Sequence, residues 1–299
     1  MMITQFLEYL QYERNYSTHT ALSYKKDLVQ FNDFVVRLRG EFQLSDIDSD
    51  IVRLWIVEMM EAKSASSTVK RKLSALKSFC RFLLKRGEIT INPLLNISAP
   101  KSPKKLPNFV KENEMDKLLD EEDGSNFVTL RNQAILHLFY ATGIRRAELL
   151  GLMDSDVDYY SDVIKVTGKR NKQRLIPIGA EIKALLQAYQ EERDVRVGCG
   201  DGHLFLKEDG EAVYPMLLQR LVSRRLESAN LSKRSPHVLR HSFATAMLNN
   251  GAQLNSVKEL LGHSSLASTE VYTHTTFEEL KRTYNSAHPR AGQTFKKGG

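Results

Sequence analysis

Four short stretches of this sequence carry residue types able to act on an anionic substrate. They are TGIRRAEL with Arg145, TGKRNKQR with Lys169, SPHVLRHSFAT with His237 and Arg240, and LGHSS with His263. Tyr272 follows His263 by nine residues. The third stretch says most by itself. Ser235 suits a helix N-cap and Pro236 the first helical position. His237 then falls in the first turn, with Arg240 one turn later on the same side. The free N–H groups of a helix start are a natural seat for phosphate. The positive helix end also disfavours imidazolium, so His237 can act as a neutral base. His237 and His241 are four apart, as in helical metal sites, but no H-E-x-x-H pattern or third ligand is evident. No metal is expected, and His241 is assigned to packing or hydrogen bonding. Taken singly, Arg145 reads as a surface arginine, Lys169 as a hairpin residue, His263 as a helix cap and Tyr272 as a packed aromatic. Their ordered combination is what chance does not readily supply.

These residues need elements to hold them. His237 and Arg240 belong to a helix whose Leu239, Phe243 and Met247 face a core and which Gly251 closes. Upstream, helices are expected over about 111–122 and 130–142, the second stopped by Gly143. Residues 154–178 change character. Val157, Val163, Ile164, Val166, Leu175 and Ile176 are strand formers around the polar turn GKRNKQ, which predicts a small antiparallel sheet with Lys169 at a hairpin tip. The first hundred residues read as four helices. Phe6, Leu7 and Leu10 mark the first, and Ser17 or Thr18 caps a second carrying Leu22, Leu28, Phe31 and Val35. A third runs from Ile51 to Met60. The fourth, about 67–86, has a buried stripe of Val69, Leu73, Leu76, Cys80 and Leu83. On a neighbouring face it carries Lys70, Lys77, Arg81 and Lys85 with no acid among them. That is ordinarily a solvated face, and it becomes a phosphate-tracking surface if the rest of the chain acts on DNA. Between 98 and 107, three prolines and three lysines make a stiff basic linker. The expected division is 1–97, linker 98–107, and 108–299.

Composition bounds the partners. The chain has 299 residues, 41% of them hydrophobic, and a net charge of +7. That suits two packed domains and favours a polyanion. Two distant cysteines, Cys80 and Cys199, form neither a disulfide framework nor a metal spacing. No apolar stretch reaches the roughly 20 residues of a membrane span, and the start MMITQFLEYLQYERNY does not read as a signal peptide. A soluble, cytoplasmic protein without membrane partners is expected.

The motif order resembles the tyrosine recombinase (phage integrase) family. TGIRRAEL is similar to its first arginine box, SPHVLRHSFAT to its His-x-x-Arg box, and LGHSSLASTEVYTH to the box with the second histidine and the nucleophile. The N-terminal helices, the linker and TGKRNKQRLIPIG resemble the bacterial XerC/XerD branch. The resemblance implies a mainly α fold with a small antiparallel β-sheet: a four-helix DNA-binding domain followed by an α+β catalytic domain. It implies that Arg145 and Arg240 clamp a scissile phosphate, His263 adds a hydrogen bond, and His237 assists proton transfer. Lys169 is then the general acid, and Tyr272 attacks phosphorus to give a 3′-phosphotyrosine. The types fit those roles. Arginine forks match the oxygens of a charged transition state. A tyrosine of ordinary pKa about 10 needs cationic surroundings. The ester energy is kept in the intermediate, so no cofactor or ATP is needed. The sequence departs from the usual pattern at Arg146, which doubles the arginine, at Arg170, where glycine is common, and at Ala246, where histidine is frequent. The implied partners are double-stranded DNA and a homo- or hetero-tetramer of recombinases on two paired sites. A second Xer recombinase and a DNA translocase are further partners it admits. The implied task is resolution of chromosome dimers before cell division. The tail stripe Phe277, Leu280 and Tyr284 either packs on its own domain or, as the same resemblance favours, docks on a neighbouring subunit. An integrase of a mobile element, a type IB topoisomerase and a non-catalytic DNA-binding regulator are the alternatives.

Overall fold

The computed structural model describes residues 2–100, 108–120, 126–168, 171–229, 231, 233–262 and 274–292. The chain forms two compact units, Met1–Lys105 and Leu106–Gly299.

The first unit is helical. Helix α1 (Met2–Glu8) runs into a wider turn, Tyr9–Glu13, and is followed by α2 (Thr18–Arg39), α3 (Ser49–Glu61) and α4 (Ser66–Lys85). Side chains start two of them. Ser17 Oγ accepts the Thr20 N–H, and the Asp48 carboxylate accepts from Asp50 and Ile51. The stripe expected on α4 is buried, joined by Phe79 and Phe82. It packs against Phe6, Phe31, Val35 and Trp55. Leu22 is not part of this core and is 49% exposed. It lies about 120° around the helix from Leu28 at 100° per residue. Ala21, on the Leu28 side, is buried in its place.

The second unit surrounds one core with α5 (Glu112–Asp120), α6 (Phe127–Thr142), α7 (Arg146–Leu150), β1 (Val157–Asp158), β2 (Val163–Thr167), β3 (Gln173–Pro177), α8 (Ala180–Arg196), α9 (Pro215–Arg225), α10 (Pro236–Asn249), α11 (Leu254–Leu261) and α12 (His274–Ala287). The strands form an antiparallel sheet in the order β1-β2-β3, with Val163 opposite Pro177 and Thr167 opposite Gln173. Helix α6 starts earlier than the apolar pattern suggested because Asn126 caps it, accepting the Thr129 N–H. It is buried on all sides and packs along α8 and α10. In α12, Leu280 and Tyr284 lie within the core of this unit, and Tyr284 stacks on His288. Two of the three tail-stripe residues, Leu280 and Tyr284, are thus packed on their own unit in the single chain, while Phe277 is half-buried outside that core.

Candidate active site

The α6–α7 loop, the start of α10, strand β3 and the end of α11 converge on one point. Helix α6 stops at Gly143, which takes a left-handed φ of 57°. A Cβ there would sit 2.5 Å from Phe243 and 2.7 Å from Leu261. Glycine therefore allows α6 to end against α10 and α11. The chain then turns, and Arg145 takes the extended conformation that precedes α7. Its N–H donates to Glu148 Oε2 at 2.9 Å. Its guanidinium donates to Glu148 Oε1 at 2.7 Å and to the Gly262 carbonyl at 2.8 Å.

Arg240 reaches the same place from α10. It donates to the Gly143 carbonyl at 2.6 Å and to the Leu261 carbonyl at 2.7 Å. A third arginine, Arg174 of β3, donates to the Leu260 carbonyl at 2.9 Å and to both oxygens of Glu148, at 3.0 and 2.8 Å. Helix ends leave carbonyls unpaired and carry negative partial charge. At the end of α11, three successive carbonyls are each taken by a different arginine.

A guanidinium has five N–H donors. Arg145 and Arg240 use two side-chain bonds each for these contacts, and their other donors have no partner among the described residues. Burial alone would raise the Glu148 pKa. The hydrogen bonds from Arg174 and Arg145 overcome it and hold the carboxyl at about 2. Burial and the charge of Arg145 lower Arg240 to about 10, so it stays cationic at neutral pH. Arg145 and Arg174 share the Glu148 carboxylate while Arg240 has no acid bonded to it, and the excess positive charge suits a phosphodiester oxygen.

His237 is exposed on the first turn of α10. Ser235 stands at the cap position as expected, but its side chain makes no cap bond; only its carbonyl accepts, from Val238 N–H at 2.8 Å. Leu239, Phe243 and Met247 are buried. His241 packs its ring edge-on against Phe109 at 6.3 Å. Lys169, His263 and Tyr272 lie outside the described residues. The residues that precede Lys169 and His263 are at the site: a Cβ on Gly168 would lie 3.1 Å from Glu148 Oε1, and one on Gly262 3.1 Å from Arg174 and 3.3 Å from Arg145. Among the described residues no three His, Cys, Asp or Glu side chains group to hold a metal. An open cleft of about 620 Å³, lined by Arg131, Leu217, Arg224 and Arg225, contains none of the candidate residues.

Sequence reasoning missed Glu148 and Arg174. Glu148 had a signal: it stands three residues after Arg145, the spacing at which an acid returns to the cap N–H. In the first unit, Lys70 and Arg81 are exposed on α4. Lys77 instead donates to the Ile97 carbonyl at 2.5 Å. Lys85 pairs with Glu13 at 3.3 Å, so an acid from outside the helix does reach that face.

Residues 108–279 match the phage integrase family, and residues 3–87 match the phage integrase N-terminal SAM-like domain. The chain belongs to the phage integrase family. A tyrosine recombinase XerC of Chlorobaculum tepidum is 38% identical, over 96% of this chain and 94% of its own length. The XerC of Pelotomaculum thermopropionicum is 41% identical, over 97% and 98%. Among solved structures, the XerH site-specific recombinase bound to palindromic difH substrate, in a post-cleavage complex, superposes with a TM-score of 0.70 at 25% identity, over 95% of this chain and 84% of that one. The chain is a site-specific tyrosine recombinase, mainly helical with the small antiparallel sheet the strand pattern predicted. Among the described residues, no helix of this recombinase is long and apolar enough to cross a membrane.

Proposed function

We propose that this recombinase cuts and rejoins duplex DNA at one target sequence, with Tyr272 as nucleophile and Arg145 and Arg240 as the clamp on the scissile phosphate. His237 assists proton transfer at the nucleophile, and His263 adds a hydrogen bond to the phosphate. Lys169 protonates the leaving 5′-oxygen. The supporting observation is that Arg145 and Arg240 grip adjacent carbonyls, Gly262 and Leu261, and keep further donors unpaired among the described residues. Two fixed forks aimed at one spot favour a phosphoryl group whose charge grows in the transition state. On this reading the helical first unit binds DNA through α4, with Lys70 and Arg81 as its exposed cations. Recombinases act in fours on two paired sites, and the task is resolution of chromosome dimers in the cytoplasm. The XerC relatives and the XerH complex with its difH substrate support that assignment.

Covalent trapping tests it. Complexes trapped in cells of the source organism and mapped along its genome should fall on one site. A nicked duplex of that site should then capture the protein through Tyr272. Tyr272→Phe should bind the duplex with unchanged affinity and form no adduct, and chelators should have no effect. An adduct formed by Tyr272→Phe would overturn the assignment.

A further inference from the structure

Arg174 is a charged residue on the inner face of a strand. Alternation along β3 places it inside with Ile176, while Gln173 and Leu175 turn outward. Its side chain is 6% exposed. A buried ion pair adds little net stability over apolar side chains of the same size, so stability alone does not explain its use here. Its three bonds point to another role. They join Glu148 to β3, and β3 to the last turn of α11, where Arg145 and Arg240 also attach.

Glu148 has Arg145 and Arg174 as cationic partners. With both present, each Glu148 oxygen accepts from Arg174, and Arg145 takes one side-chain bond to Oε1. Without Arg174, the carboxylate is free to pair two-pronged with Arg145. That would close the fork that must face phosphate and cancel its charge.

We propose that Arg174 is a positioning residue for the phosphate clamp: by sharing Glu148 and tying the end of α11 to β3, it keeps the Arg145 guanidinium turned outward, its charge left for phosphate and not offset by a two-pronged pair with Glu148. The proposal rests on the reading of Arg145 as a clamp residue. Lysine cannot replace it, because one ammonium does not supply two parallel donors and a third to a carbonyl.

The test uses the full-length protein and the mapped duplex in three forms: ordinary DNA, DNA with a methylphosphonate at the scissile position, and DNA with a 5′-bridging sulfur. A methylphosphonate has lost the charge the clamp must neutralise. Arg174→Lys and Arg174→Gln should cleave ordinary DNA slower by on the order of a hundredfold. Their deficit against the unsubstituted protein should narrow on methylphosphonate DNA, as that of Arg145→Ala does, and persist on the sulfur substrate. The ratio of rates on two substrates does not depend on the fraction of a variant that is folded, so a destabilised variant still reports. An equal deficit on ordinary and methylphosphonate DNA would make Arg174 merely structural. Rescue by sulfur would place its effect on the leaving group. Either result overturns the proposal. If Arg145→Ala narrows and the Arg174 variants do not, this inference alone falls. If Arg145→Ala does not narrow, the clamp reading beneath it falls as well.

Discussion

Lys169 and Lys172 stand three residues apart in one polar turn, and only chemistry separates them. A general acid matters when the leaving group is poor. An alkoxide leaving phosphorus is poor, whereas a thiolate, with a thiol pKa near 8.5, is far better. Lys169→Ala should therefore cleave ordinary DNA slowly and recover most of its rate on a 5′-bridging sulfur. Lys172→Ala should be close to normal on both, and Arg240→Ala slow on both, because on the proposed reading it acts on the non-bridging oxygens. Sulfur rescue of Lys172→Ala in place of Lys169→Ala would move the acid by three residues. Arg145 and Arg240 were legible in the sequence because each sits in a motif with a recognisable neighbourhood. Arg174 was not, for a physical reason. In QRLIP both Leu175 and Ile176 read as strand formers, so alternation alone could not say which face was inner. Leu175 proves 37% exposed, and the arginine is the inward residue. A buried charge leaves no mark in sequence until its partner is known, and Glu148 belongs to a different element.

At the level of elements, apolar period served well where a helix has one wet face. The α4 stripe and the α10 core residues are buried as read. It served less well for α6, which is buried all round, so that its start is marked by the Asn126 cap and not by an apolar repeat. Helix α7 is only five residues long and had no periodic signal to show. What sets the site is how closely these elements meet, and Gly143 measures that. Gly143→Ala places a methyl against Phe243 and Leu261 in addition to straining a left-handed residue. Gly251 is also left-handed, with φ +86°, but a methyl placed on it would meet nothing within 4 Å. Gly251→Ala should therefore cost about 1 kcal/mol, the left-handed penalty alone. Gly143→Ala should cost roughly 1–3 kcal/mol more, from overpacking. It should also slow cleavage, since the Gly143 carbonyl accepts from Arg240. Urea unfolding of the two variants checks the difference. Equal losses would mean that α10 and α11 yield freely around the loop.

Across the whole molecule, two separate cores give two reporters. The single tryptophan, Trp55, lies in the first unit's core. The second unit carries a buried polar network that links α5, α6, α8 and the residues after α12. Arg290 binds Glu181, Asp116 and Asp120. Beside it, His288 Nε2 donates to the Tyr140 carbonyl and Nδ1 accepts the Arg290 N–H, which fixes a neutral ring. Burial lowers His288 to about 4, and burial with the nearby Arg290 charge does the same for His137. Unfolded histidine titrates near 6.5. Between those values the unfolded chain binds more protons than the folded one, so stability rises with pH. Each histidine contribution is full above pH 6.5 and is lost as pH falls to about 4, roughly 3 kcal/mol apiece. Glu181 works in the opposite sense, because burial raises its pKa despite the hydrogen bond from Arg290. A variant difference isolates the histidine. His288→Gln loses the ring stacking on Tyr284 and should be less stable than the unsubstituted protein at pH 7.5. It has no proton to take up, so the gap should shrink steadily as pH is lowered from 6.5 to 4.5. Far-UV circular dichroism, which follows the helices of both units, should show the shift, whereas tryptophan fluorescence, reporting the first unit alone, should show the same transition in both proteins at every pH. A gap that stays constant with pH would mean that His288 is protonated in the fold and that the Arg290 network tolerates its charge.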